Sequence, residues 1–306
     1  MGIFKNRYGE LRSGWKIVLT IILMFALINV LSVLIGIILG IIATNGILTE
    51  LSDIESSSLY FSVSIILQNI ALILSSIIMW KSLDKKEAKL MGIINIKEGY
   101  KELGIGLFLG AMTITIVGIV LLLLGEVRLV NSLSKSNISY ELVIGLIAFI
   151  AVGFGEEIFG RAYCMSVLKQ TRNKYIVLGI SAAVFAAMHL GNNGINFLAL
   201  INLFLVGILF GYMFMKSGNV WMPIGFHITW NYFQGYILGF QVSGNEVNGI
   251  YQLQNSINSY INGGTFGPEG GIVVTLILII TFFIVGVLYK NRSIDDFFRD
   301  KLTLFR

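Results

Sequence analysis

The sequence predicts an all-α polytopic membrane protein with about eight transmembrane helices, and three observations predict it. Of its 306 residues 56% are hydrophobic and only 13% charged, whereas soluble domains average about 25% charged. Mean hydropathy is +0.82. Apolar runs of roughly 20 residues, the length that crosses a ~30 Å hydrocarbon layer, recur along the whole chain. Those runs lie at 17–43, 59–80, 103–125, 141–168, 175–191, 195–215, 220–240 and 271–289. No repeat and no change of composition divides the chain, so residues 1–306 are read as one transmembrane domain.

The first run is too long for a signal-peptide core and lacks a small-residue cleavage site, so it is expected to be retained as a helix. Charge then sorts the connections. Of the 22 Lys and Arg, all but Arg128 and Lys135 fall on one side of such a bundle, counting Arg161 with that side. Glu50, Asp53, Glu55, Glu126, Glu141, Glu246 and Glu269 fall on the other. The positive-inside rule therefore places both termini in the cytoplasm, in agreement with an even number of helices. This sidedness accounts for the net charge of +5, so no nucleic-acid partner is expected. The Gly- and Asn-rich segment 241–270 reads as an outer loop. The stretch from Ile94 to Leu103 is amphipathic and suits the inner interface. The single cysteine, Cys164, excludes an intrachain disulfide and a cysteine-rich metal site.

The fourth run carries the chemistry. About 28 residues long, or about 42 Å as a helix, it places its polar octet near mid-depth. That octet is Phe154-Gly155-Glu156-Glu157-Ile158-Phe159-Gly160-Arg161. Ionisable groups in hydrocarbon cost a few kcal/mol each, commonly ~3, so three together point to use. On a helix Glu157 and Arg161 are four apart with the acid first, the favourable order for an ion pair. Glu156 points elsewhere, and Gly153 and Gly160 on its face are expected to leave open space. Arg161 is thus expected to neutralise Glu157 while Glu156 stays free for chemistry; a buried structural cluster is the alternative.

Both histidines of the chain, His189 and His227, fall in late apolar runs. Ala182 and Ala186 share the face of His189 and permit close helix contact. His227 and Asn231 are four apart and face the same way, with Gln234 a turn further. Pro223, four before His227, is expected to loosen that helix. Gly207 and Gly211 form a GxxxG packing pair. Residue counting puts His189 about 21 Å and His227 about 10 Å above the inner ends of their helices, an offset the fold has to close.

Together Glu156, His189, His227 and Asn231 supply what amide hydrolysis needs. A carboxylate activates water, a histidine shares the proton, and a second histidine with an amide stabilises the oxyanion. The same Glu156, His189 and His227 also form a zinc-like donor set with an open position for water. Spacing does not choose between a metal-free site and one holding Zn2+.

The ordered set Glu156-Glu157-x-x-x-Arg161, Phe185-x-x-x-His189 and His227-x-x-x-Asn231 resembles the CPBP family of CAAX-protease and bacteriocin-processing membrane proteins, also called Abi. Gly207-x-x-x-Gly211, Ser217-Gly218 and Met222-Pro223-Ile224 add to the resemblance, which spans roughly residues 140–235. Family members often carry Phe before the motif arginine and Gly after it; here Gly160 and Ala162 flank Arg161. The resemblance implies an eight-helix intramembrane endopeptidase acting on membrane-associated proteins or peptides. It makes Glu156 the base, His189 its helper, His227 and Asn231 the oxyanion donors, and Glu157 and Arg161 their support. A glutamate-type mechanism without a required cofactor is favoured over a metallo-type one. The Ile- and Asn-rich composition suits a bacterial plasma membrane, where peptide maturation, bacteriocin self-immunity or membrane-protein processing would be the roles. Two other functions fit the same polar residues: a non-cleaving scaffold or immunity protein of the same fold, and a proton-coupled transporter. Against the transporter, the halves show no inverted repeat. The sequence is silent on oligomeric state.

Overall fold

The computed structural model describes residues 2–6, 8–44, 58–130, 138–256 and 259–299. Their long helices are α1 (Ser13–Thr44), α2 (Ser58–Met79), α3 (Ile96–Leu123), α4 (Glu141–Glu157), α5 (Lys174–Met188), α6 (Phe197–Ser217), α7 (Trp221–Tyr232) and α8 (Ile272–Leu288). The protein is a polytopic all-α membrane protein. Among the described residues, five segments are long and apolar enough to cross a bilayer: Ser13–Ile38, Ser62–Asp84, Ala88–Leu123, Glu141–Thr171 and Phe197–Ser217. Of the last four runs expected as spans, all but α6 are shorter, with α5, α7 and α8 holding 15, 12 and 17 residues. The expected interfacial stretch from Ile94 is not a separate element. Asn95 caps α3 through the Lys97 amide, and residues 96–103 are its first turns.

Boundaries follow local chemistry. Asn173 and Asn196 sit in extended backbone, and their side chains accept from amides in the first turns of α5 and α6, as N-caps do. Gly218 adopts φ +77° and ends α6 by donating its N–H to Phe214. Pro223 stands in the first turn of α7, where no helical partner awaits its missing N–H. The expected loosening at Pro223 is therefore absent. Irregular backbone lies instead in π-helical turns, Trp80–Asp84 after α2, Ile158–Cys164 after α4 and Phe233–Ile237 after α7.

Helix position within the bundle is graded. Only 6% of the most apolar window of α1 is buried inside the protein, against 56% for α6, so α1 is peripheral and α6 central. A buried Lys16–Asp84 ion pair of 2.6 Å ties α1 to the π-helical turn that follows α2. The tightest seam joins α3 to α7. A Cβ on Gly106 or Gly110 would come within 2.1 and 2.2 Å of the carbonyl oxygens of Met222 and Phe226. Gly225 returns the contact at 2.5 Å from the Leu103 carbonyl. Backbone thus lies on backbone, which holds the start of α7, and so His227, in place. Gly207 and Gly211 pack as the motif implied: a Cβ on either would lie 2.8 Å from an atom of Ala182 or Leu178 on α5.

The segment after α7 is more ordered than a loop reading suggests. Val127–Leu129 (β1) and Leu253–Asn255 (β2) form a short antiparallel ribbon with Val127 opposite Asn255. Val242 bridges to Asn245, and 3-10 turns occupy Gly264–Phe266 and Pro268–Gly270. The Gly244 amide donates to Phe266 and the Ile250 amide to Tyr236. These bonds fold the segment down onto the helix ends.

Candidate active site

Burial separates the two adjacent glutamates. Glu157 and Arg161 have no accessible side-chain surface, and Arg161 Nη1 donates to Glu157 Oε1 at 3.1 Å. The pairing survives the π-helical turn between them. The guanidinium also donates to the Gly207 carbonyl at 3.3 Å. Its Cζ lies 4.5 Å from the Phe185 ring centroid and 5.0 Å from that of Phe210, two cation–π contacts. The same Glu157 oxygen accepts from His227 Nδ1 at 3.0 Å. One carboxylate therefore holds both a cation and a histidine, which goes beyond the expected role of partner to Arg161 alone.

Glu156 faces a cavity of about 250 Å3. Its wall includes Glu156 from α4, Phe185 and His189 from the end of α5, and His227, Trp230 and Asn231 from α7. Oε2 of Glu156 is buried without a hydrogen-bond partner and lies 3.9 Å from His189 Nε2. His189 Nδ1 donates to the Phe185 carbonyl at 2.9 Å, because a carbonyl only accepts. In the neutral ring Nε2 is then a bare acceptor, aimed at Glu156. His227 shows the same logic, with Nδ1–H committed to Glu157. The expectation of open space on both glycine neighbours of Glu156 holds at Gly160 only. A Cβ on Gly153 would meet Ile228 of α7 at 2.6 Å, so that glycine serves helix packing.

The depth offset expected between the histidines is not realised. Phe185 lies 4.9 Å from the His189 ring and 6.1 Å from the His227 ring, so both imidazoles share one aromatic layer. Counting assumed straight, full-length crossings, whereas α5 and α7 are short. All six predicted residues come together: Glu156, His189, His227 and Asn231 on the cavity, Glu157 and Arg161 beneath it. Among the described residues, no three His, Cys, Asp or Glu side chains converge as a metal site. His227 Nδ1 is engaged with Glu157, which leaves Nε2 as its uncommitted ring nitrogen.

Sequence reasoning missed several parts of the site. Phe210 lies over Arg161 and 5.3 Å from His227, with no motif to mark it. From the outer segment come Val242, Ser243, Asn245 and Glu269, which line the cavity as a roof. Glu269 accepts from the Ser243 amide at 2.6 Å and from its hydroxyl at 3.0 Å. Ser243 holds φ +48°, a left-handed backbone rare outside glycine, and its carbonyl accepts from Asn192 Nδ2. Burial pushes the Glu269 carboxyl above its usual range, opposed by hydrogen bonds from Gln234 and Ser243. From α2 come Gln68 and Asn69. Two adjacent amides inside an apolar run were visible in the sequence, but nothing connected them to α4.

Fold and site define an integral membrane protein with a carboxylate–histidine cavity set among its helices. Residues 138–233 match the family described as Rce1-like, type II CAAX prenyl endopeptidase Rce1-like, and this bears out the resemblance to the CPBP family. The match begins just before α4 and ends at Phe233, so it contains all six motif residues and excludes α1, α2, α3, α8 and the roof. No curated protein matches the chain.

Proposed function

We propose that the protein is an intramembrane endopeptidase that hydrolyses peptide bonds of membrane-associated proteins or peptides by a glutamate-type mechanism. One observation carries the reading. Of the adjacent pair only Glu156 lines the cavity, where its Oε2 has no hydrogen-bond partner and lies 3.9 Å from Nε2 of His189.

In this mechanism Glu156 takes a proton from water, and the hydroxide adds to the scissile carbonyl carbon. Asn231 Nδ2–H and a doubly protonated His227, through Nε2–H, donate to the oxyanion. Glu157, already bonded to His227 Nδ1, supports that cation, and Arg161 holds Glu157. As the tetrahedral species collapses, the C–N bond breaks. The proton on Glu156, shared with His189 Nε2, passes to the departing amine. The products are a carboxylic acid and an amine, and no cofactor enters. The 3.9 Å gap between Glu156 and His189 is longer than a hydrogen bond; such contacts tighten once substrate binds. The charge asymmetry supports an orientation with both termini in the cytoplasm, and the Ile- and Asn-rich composition supports a bacterial plasma membrane.

The test compares membrane-derived and secreted peptides from host cells carrying wild type or Glu156→Gln at matched abundance. Peptides, or a shortened membrane protein, that vanish in the variant establish proteolysis and supply its substrate. Identical profiles with a folded, abundant variant overturn the reading in favour of a non-cleaving scaffold.

A further inference from the structure

Asn69 stands out among the cavity residues that lie outside the matched segment. It is 4% exposed, and its Nδ2 donates to the Ile65 carbonyl of its own helix at 2.9 Å. That bond fixes the amide orientation and leaves Oδ1 as an acceptor. Oδ1 is buried with no hydrogen-bond partner, on the wall of the cavity that holds Glu156. Helix α4 makes room for it. A Cβ on Gly155, the residue before Glu156, would lie 2.2 Å from Asn69 Oδ1 and 2.7 Å from its Cβ. The missing side chain at 155 is therefore the seat of the Asn69 amide. Gln68, one residue earlier and exposed, continues the polar edge along the cavity.

An unsatisfied buried acceptor is costly unless a ligand donor meets it. A peptide drawn into the cavity for cleavage must be extended there, so its N–H groups lose their helical partners in an apolar surround. On the proposed mechanism, His227 and Asn231 serve the scissile carbonyl, while Glu156 and His189 serve water. These roles leave Asn69 Oδ1 as a buried acceptor not yet claimed by the chemistry, on a residue that lines the same cavity.

We propose that Asn69 is a substrate-binding residue that accepts a hydrogen bond from a backbone N–H of the extended peptide beside the scissile bond. The subsite reads backbone and is indifferent to side chain, and it is built from a helix the matched family segment does not include. This inference rests on the endopeptidase reading.

The probe is a synthetic peptide spanning the cleavage site mapped by the Glu156→Gln comparison, with the full-length protein in lipid nanodiscs. Asn69→Leu and the milder Asn69→Ser should each raise KM about three- to tenfold, the weight of one hydrogen bond, with kcat within about twofold. Gly155→Ala, which displaces the amide without altering it, should move KM the same way. Peptides N-methylated one residue at a time test wild type without any substitution. One position should cost wild type the same factor, and the same N-methyl group should cost Asn69→Ser nothing further. Wild-type KM in both Asn69 variants, or no shared position in the N-methyl scan, overturns the subsite while leaving the endopeptidase reading standing. A fall in kcat with KM unchanged also overturns it, because it assigns Asn69 to the water. A comparison that yields no Glu156-dependent product removes both.

Discussion

Floor and roof of the cavity each hold a carboxylate, by opposite means. On the floor, Glu157 is fully buried between the Arg161 guanidinium and His227, charge balanced within about one helical turn. On the roof, Glu269 is held by neutral donors, the Ser243 amide and hydroxyl and the Gln234 side chain. Removing the cation beside a buried carboxylate leaves an uncompensated charge. One held by neutral donors loses far less and can meet its burial by taking up a proton. The floor thus meets its burial by charge pairing, and the roof is a part that pH can adjust.

The largest effect should come from breaking the floor. Arg161→Leu leaves Glu157 buried without its cation and also removes the bond to the Gly207 carbonyl and the stack on Phe185 and Phe210. Loss of one partner of a buried pair costs about 3–5 kcal/mol, so the variant should fail to accumulate or should unfold at markedly lower temperature in mild detergent. Normal accumulation and stability would show that the pair contributes little to the fold. Glu157→Gln is gentler, since the amide oxygen still accepts from His227 or Arg161. It withdraws the charge that supports a protonated His227, so the cleavage rate should fall about 100-fold, the scale of one oxyanion donor, with the fold retained. Asn231→Ala should show a loss of similar size. Wild-type turnover in either would remove that group from oxyanion stabilisation.

The same contrast explains what could be read from the sequence. The floor was legible because helical geometry is local. Glu157 and Arg161 four apart, and His227 and Asn231 four apart, share faces whatever the bundle does, and ionisable residues in an apolar run mark themselves. Even there, the reach of Glu157 to His227 needed the α3–α7 seam, set by Gly106, Gly110 and Gly225, which carry no chemistry of their own. Apolar runs gave no measure of helix length: α5, α7 and α8 are shorter than the runs that predicted them. The roof was illegible because its contacts join residues far apart in sequence through backbone groups. Gly244 N–H to Phe266 and Asn192 to Ser243 leave no pattern along the chain. A Gly- and Asn-rich composition predicts a turn-rich loop, and it does not say where that loop comes to rest.

The smallest predicted effect concerns the roof. Glu269→Ala should leave the Ser243 amide and hydroxyl without their acceptor and loosen residues 241–246, at about 1–2 kcal/mol for orphaned donors. Glu269→Gln keeps an acceptor oxygen but cannot ionise, which isolates the effect of charge. Burial raises the folded-state pKa of Glu269. Below the ordinary carboxyl value of about 4.3 both open and closed forms are protonated, and the roof is at its most stable. As pH rises through that value the open form releases its proton first. Closure weakens until pH passes the raised folded value and is constant beyond it. Hydrogen-exchange protection of residues 241–246, corrected for intrinsic rates, should therefore fall from acid toward neutral pH in wild type and stay flat in Glu269→Gln. Parallel profiles would show that ionisation of Glu269 is not coupled to the roof, and that Ser243 is held by its backbone bonds alone.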